Sequence, residues 1–390
     1  MTLKPYVLLL IGLFALQSGC SQITGKKSAP APLKALKAVT PTIKASTDWQ
    51  IATGSAMGEN KVHPFIDKQY VFVAGGTSAS AWQKSNGKML WRSAIGETIS
   101  AGVNGNFSNS NTVNTNQVFI GTTNGNAISL DAKTGKILWI ERLSSEILSV
   151  SASANNRVIF RTVDGKLHAL QVTTGELVWQ RSQRPPALSQ LGAGVPILVP
   201  PLVIAGFDNG KVAAYNIENG QGIWEAILAL PRASTEPEQI TDVDGKIKQL
   251  GNALFAASMN GSSTGINIEN GKKAWSRAYS TPTGVNANQL GLYSSDDKGN
   301  VWKYDPQTGE PVWSMDDLQR RLPSVPAIVG SSDIVITDKQ GNIHWINATN
   351  GKFSARSKGD PRGYSIEPEV DGNSIFALGK GGILTKVTKR

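Results

Sequence analysis

Past its first 20 residues the chain alternates short apolar runs with polar breaks that contain glycine, and no segment carries the spacing of an amphipathic helix. The stretch from Val118 to Ile140 shows the grammar. Val118-Phe119-Ile120 is an apolar run, Asn124-Gly125 a tight-turn pair and Ala127-Ile128-Ser129-Leu130 a second run; Asp131-Ala132-Lys133-Thr134-Gly135 then leads into Ile137-Leu138-Trp139-Ile140. Asn-Gly closes two-residue hairpins because both residues tolerate positive φ. One further run precedes each such unit, as Leu148 to Ala152 precedes Val158-Ile159-Phe160. The pattern predicts four antiparallel strands in about 44 residues, and an all-β chain.

The unit recurs in fixed phase. A glycine is followed ten residues later by the glycine of an Asn-Gly or Thr-Gly pair, and four residues after that by tryptophan: Gly125/Gly135/Trp139, Gly165/Gly175/Trp179, Gly210/Gly220/Trp224, Gly261/Gly271/Trp275 and Gly299/Gly309/Trp313. Gly341/Gly351 carries Ala355 where tryptophan is due, and Gly87/Trp91 has its first glycine displaced to Gly75-Gly76. Four residues before the second glycine stands Gln83, Asp131, Gln171, Asn216, Asn267, Asp305 or Asn347, each able to accept a backbone hydrogen bond across the turn. The second glycines lie 48, 40, 45, 51, 38 and 42 residues apart. Four-stranded sheets at that period predict a β-propeller, with each tryptophan burying roughly 150 to 250 Å² against the next blade.

Closure is readable from the two ends. Strands at Ile375 to Leu378 and Ile383 to Val387 are separated by Lys380-Gly381-Gly382, and ten residues past Gly381 is position 391, so the final blade lacks its fourth strand. Asp48-Trp49-Gln50-Ile51 has a tryptophan 42 residues before Trp91 and no strands ahead of it. The expectation is an eight-bladed propeller over 46–390 whose last blade is closed by the strand around Trp49.

Composition changes the picture at the N-terminus. Residues 1–19 read as a lipoprotein signal peptide: Lys4, an apolar run from Tyr6 to Leu16 of about 11 residues where about 20 are needed to span a bilayer, then Gln17-Ser18-Gly19-Cys20. Cys20 is the single cysteine, so a disulfide or zinc cluster within the chain is excluded. Small residues before Cys20 resemble the bacterial lipobox, which implies acylation there. Ser21, in place of the aspartate that retains lipoproteins in the inner membrane, implies an outer-membrane, periplasm-facing address. The net charge of +10 includes six lysines before residue 46 with no acidic residue among them, leaving +4 for 46–390. Residues 20–45, rich in Lys, Ala, Pro and Thr, are expected to be a flexible basic tether, and a nucleic-acid partner is not expected.

Leu130-Asp131-Ala132-Lys133-Thr134-Gly135-Lys136-Ile137-Leu138-Trp139 resembles the repeat of pyrroloquinoline-quinone (PQQ) dehydrogenases and equally that of the BamB family of outer-membrane assembly lipoproteins. Ser234-Thr235-Glu236 leading to Asp242-Val243-Asp244, and Arg320-Arg321-Leu322 running to His344-Trp345-Ile346-Asn347, are similar to the BamB family specifically. The dehydrogenases are usually longer, use a vicinal cysteine disulfide and hold calcium with Glu, Asn and Asp. This chain has no cysteine pair, and Asp242-Val243-Asp244-Gly245 lacks the remaining ligands of a calcium loop. With only His63, His168 and His344, and no nucleophile elbow or phosphate loop, no catalytic, cofactor or metal residues are expected.

The BamB resemblance implies a non-enzymatic subunit of the β-barrel assembly (BAM) machine, docked on the periplasmic POTRA region of BamA. Other BAM lipoproteins are then indirect partners, and unfolded barrel proteins are candidate clients of the sheet edges. Its docking positions here are Leu188, Gln190 and Leu191 in one loop and Asp242 and Asp244 in another. The first loop departs from the family pattern, which has arginine near Leu191 and leucine near Gln190; either the partner differs or Arg184 or Arg232 supplies the cation. The competing readings are a PQQ-dependent dehydrogenase and a stand-alone periplasmic ligand-binding propeller.

Overall fold

The structure, a computed structural model, describes residues 33, 35–54, 62–105, 116–183, 194–230, 242–243 and 245–390. Among these, eight four-stranded antiparallel sheets succeed one another. Blade 1 spans 65–94, and blades 2 to 7 span 99–142, 147–182, 197–227, 248–277, 285–315 and 327–358. Blade 8 combines 369–389 with the N-terminal strand Ala45–Ala52. First strands of neighbouring blades meet around the axis, so the first strand of each blade is innermost. The expected eight-bladed propeller is the observed fold.

Second and third strands are buried almost throughout, as at Val118, Phe119, Ile120, Ala127, Ile128 and Leu130. Their apolar runs are unbroken because both faces of the sheet pack on a neighbouring blade. The cluster of Phe119, Trp139, Val158, Phe160 and Leu170, for example, joins blades 2 and 3.

A bulge explains how each tryptophan reaches its seat. In blade 2, Ser129 pairs with Trp139 and Leu130 with Ile137, so Leu138 is the extra residue. The same shift recurs in the outer strand pairs of blades 1 and 3 to 7. A bulge bends the strand locally; here it leaves Leu138 exposed while Trp139 is buried. The indole N–H then donates across the blade boundary to a turn carbonyl: Trp91 to Ala132, Trp139 to Val172, Trp179 to Ile217, Trp224 to Ile268, Trp275 to Pro306 and Trp313 to Ala348, at 2.8–3.2 Å. Each ring lies on the turn glycine of that next blade. At Gly175, where φ is +79°, an added Cβ would lie 2.7 Å from the Trp139 ring. Glycine is therefore required twice over, for the left-handed turn and for the close approach.

The residue before these turns behaves as expected where the side chain is short. Asp131 Oδ1 accepts from the Lys133 and Thr134 N–H groups at 3.1 and 2.8 Å, and Asn216, Asn267, Asp305 and Asn347 do the same in their turns. Gln171, longer by one methylene, accepts instead from the Thr174 hydroxyl at 3.2 Å.

Ring closure follows the expected scheme. Ala45–Ala52 pairs antiparallel with Ile383–Lys389, from Ala45 opposite Lys389 to Ala52 opposite Ile383. Asp48 holds the junction through Thr388, Lys386 and Arg390 at 2.6, 3.3 and 2.8 Å. Trp49 lies on Gly87 of blade 1 and donates to Lys84 O at 3.3 Å, which continues the inter-blade series. In the turn between Ser374–Leu378 and Ile383–Lys389 the left-handed residue is Gly382, one place beyond the expected Gly381. Ala355 now has a reason: blade 8 has no outer hairpin, because its last two strands come from opposite ends of the chain, so a tryptophan there would find no turn carbonyl. Trp345, opposite Ala355 on the adjacent strand, fills that volume and is fully buried.

Part of the expected tether lies on the propeller. Leu36 packs beside Met315 and Leu318, and Ile43 against the core between blades 7 and 8. Polar contacts run alongside: Thr42 N–H to Ser354 O at 2.9 Å, Lys37 to Asp317 at 2.7 Å, and the Arg356 guanidinium to Lys37 O at 2.9 Å. Two apolar residues in a polar segment suffice to give it a seat.

Candidate docking face and axial pocket

Two long connections lead from the outermost strand of one blade to the innermost strand of the next: from Ser182 to Ile197, between blades 3 and 4, and from Ile227 to Lys248, between blades 4 and 5. Both leave over the same face. The residue after each outer strand donates to the first turn glycine of its own blade, Gln183 to Gly165 O at 3.0 Å and Leu228 to Gly210 O at 2.8 Å. The turns carrying the second glycines lie at the opposite ends of the strands. Leu188, Gln190, Leu191 and Asp244 fall within these connections but outside the described residues, as does Cys20.

Asp242 is described and only 3% exposed. Its carbonyl accepts from Met259 N at 3.0 Å, and Val243 N–H donates to Phe207 O at 3.1 Å. Val243 is fully buried against Gly206, where any Cβ would collide with the Val243 carbonyl. The end of the second connection is thus wedged between blades 4 and 5. Asp242 belongs to that wedge.

From there the chain crosses to blade 6. Gly245 and Gly284 touch backbone to backbone, leaving no room for a Cβ on either. Lys246 bridges to this strand through Lys246 N to Thr283 O at 3.1 Å and Val285 N to Lys246 O at 3.0 Å. The crossing delivers the Lys246 side chain to the axis. It meets Glu367, two residues ahead of blade 8, at 2.8 Å, beside His63 Nδ1, which lies 3.2 Å from Glu369 Oε1.

These four residues border a pocket of about 400 Å³ with otherwise mainly apolar walls, including Phe65, Val103, Ile197, Ile247, Val325 and Ile366. Burial disfavours each charge, but the pairing overrides it. The Glu367 carboxyl is held down at about 2 by Lys246 and His63. Lys246 is pushed up by Glu367 and Glu369, and His63 is raised by the same two carboxylates. Lys248, two residues further on, is pushed down by burial and by the Lys246 charge. None of these four residues stands out in the sequence. They lie outside the glycine and tryptophan positions that mark the repeat, at or just ahead of first strands, and Lys246 and Glu367 are 121 residues apart.

The other two histidines are strand-face residues, as expected. His344 is fully buried; its Nε2–H donates to Asp338 at 2.9 Å while its Nδ1 accepts from Arg356 Nε at 3.1 Å. Burial, reinforced by Arg356 and Arg321, lowers its pKa despite Asp338. With both ring nitrogens engaged, His344 cannot take a proton from a nucleophile without losing its arginine partner. Burial likewise pushes His168 down to about 4, with Nε2 at 3.2 Å from both Ser144 and Thr162. The segment from Arg321 to His344, singled out by its resemblance, therefore builds a buried network.

Fold and repeat together define an eight-bladed propeller of the PQQ-repeat class, with two long connections on one face. A family model described as outer membrane protein assembly factor BamB matches residues 78–315 and 297–390. The chain belongs to that family. It is 30% identical over 375 residues to the assembly factor BamB of Pseudomonas aeruginosa, covering 95% of this chain and 96% of the relative. Among solved structures it superposes on BamB from Moraxella catarrhalis with a TM-score of 0.80 at 23% identity, covering 88% of this chain and all of that one. The quinohemoprotein alcohol dehydrogenase of Comamonas testosteroni shares the fold alone, with a TM-score of 0.67 at 12% identity over 88% of this chain and 76% of that one.

Proposed function

We propose that this chain is a non-enzymatic subunit of the outer-membrane β-barrel assembly complex. In this reading it is held at the periplasmic face of the outer membrane by acylation of Cys20 and docked on the POTRA region of a BamA protein through the blade 3–4 and blade 4–5 connections. The observation that carries the reading is the family match, which extends through the propeller from residue 78 to residue 390. The two connections support it by leaving over one face at adjacent blade junctions.

The burial of Asp242 refines the docking surface. The backbone of Asp242 and Val243 roots the loop between blades, and in this reading Leu188, Gln190, Leu191 and Asp244 face the partner. An apolar anchor beside a carboxylate suits a partner edge that is apolar and basic, the anchor contributing most once water is excluded. Assistance to barrel folding follows from this placement beside BamA. Affinity purification of the full-length chain from outer membranes tests the reading. Recovery of a BamA protein with other BAM lipoproteins is the expected result; recovery of the chain alone, or dye-linked alcohol oxidation on addition of PQQ, would overturn it.

A further inference from the structure

The segment 242–247 is tied by its backbone to blades 4, 5 and 6, through Phe207, Met259, Thr283 and Val285. Across the axis, the Lys246 side chain reaches Glu367 at 2.8 Å. That tie reaches the entry to blade 8, the blade closed by the chain's own N-terminal strand. Two glycines with no room for a side chain are needed to bring Lys246 there.

An ion pair in a mainly apolar pocket is a poor device for stability alone. The desolvation cost of the two charges offsets their attraction, and well-packed apolar replacements are often equally stable. Its best-attested benefit is register: one position of the segment satisfies both charges, and every other position leaves one of them buried and unpaired. The neighbouring groups sharpen this. Glu369 is engaged by His63, and Lys248 repels Lys246; among the described residues, only Glu367 is within ion-pairing distance of Lys246.

We infer that Lys246 is a positioning residue: its transaxial pair with Glu367 sets the placement of the end of the blade 4–5 connection, the root of one docking loop, relative to the closing blade. The inference rests on the docking reading for its consequence but not for its geometry. The pair acts on the root of the loop, just past Asp242 and Val243. Its loss loosens the crossing at Lys246 without unfolding the ring, because the backbone ties to blades 4 and 5 through Phe207 and Met259 remain.

Full-length protein carrying Lys246→Met, Glu367→Gln, or the exchanged pair Lys246→Glu with Glu367→Lys tests this through two readouts. One is hydrogen exchange at the Lys246 and Val285 amides, which report the crossing directly; the other is affinity for detergent-solubilised BamA of the same organism. Each single variant is expected to accelerate exchange at both amides and weaken affinity, each by about tenfold, and to lower the thermal midpoint because one buried charge loses its partner, while the ring stays folded. The exchanged pair should restore both. Unchanged exchange in the single variants, or an exchanged pair no better than they are, would overturn the inference. If exchange responds as stated while wild-type protein fails to bind BamA, the docking reading falls and the positioning role stands.

Discussion

Trp139 shows what one repeated residue does in this ring. Its indole lies on Gly175 of the next blade and donates to Val172 O at 2.9 Å, so one side chain supplies both apolar burial and a buried hydrogen bond. Replacing it by phenylalanine keeps most of the apolar surface and leaves the Val172 carbonyl without its donor. The expected cost is about 1–3 kcal/mol in urea denaturation; an unchanged midpoint would contradict this role. His168 carries a second prediction at the same scale. Burial depresses its folded pKa to about 4, below the ordinary value of 6.5, so the unfolded chain takes up the proton first. The stabilisation is complete above pH 6.5 and is lost as pH falls toward 4, amounting to roughly 3 kcal/mol. His168→Gln, whose amide can meet Ser144 and Thr162, should flatten that part of the stability profile between pH 7 and pH 4.5.

Ala355 is the informative exception among the elements. Restoring the repeat by Ala355→Trp ought to harm the protein, because Trp345 already occupies the space and blade 8 offers no turn carbonyl. A loss of about 1–3 kcal/mol in the same denaturation assay is expected, and a gain would show that the seat is empty. The blades were legible in the sequence because local rules write them: apolar runs, turn glycines and phased tryptophans all act within a few tens of residues. Closure by Trp49 was legible for the same reason, as an orphaned member of that phase. The bulge at Leu138 and the volume exchange between Ala355 and Trp345 depend on which strand lies opposite, which periodicity does not encode. The axial cluster was illegible altogether. Lys246 and Glu367 meet only once eight blades have brought residues 121 positions apart to one axis. The docking residues were named through family resemblance, and the burial of Asp242 is a packing fact that no local pattern carries.

Across the whole molecule, the ring divides its work between two faces. One face carries the second-glycine turns, with Lys133 and Gln307 exposed at their tips. The other carries the crossing connections, the axial pocket and the root of the docking loop. Lysines concentrate ahead of the propeller, while 46–390 carries a net charge of only +4, with cations held in local pairs such as Arg157 with Glu218 and Lys211 with Glu225. Partner choice therefore falls to particular loops and not to a broad field of one sign. Site-specific photo-crosslinking in living cells tests that division most directly, with the photoreactive residue placed at Leu188 on the connection face or at Lys133 on the opposite face. A crosslink to BamA from position 188 and none from position 133 is the predicted result. Crosslinking from 133 with none from 188 would contradict it.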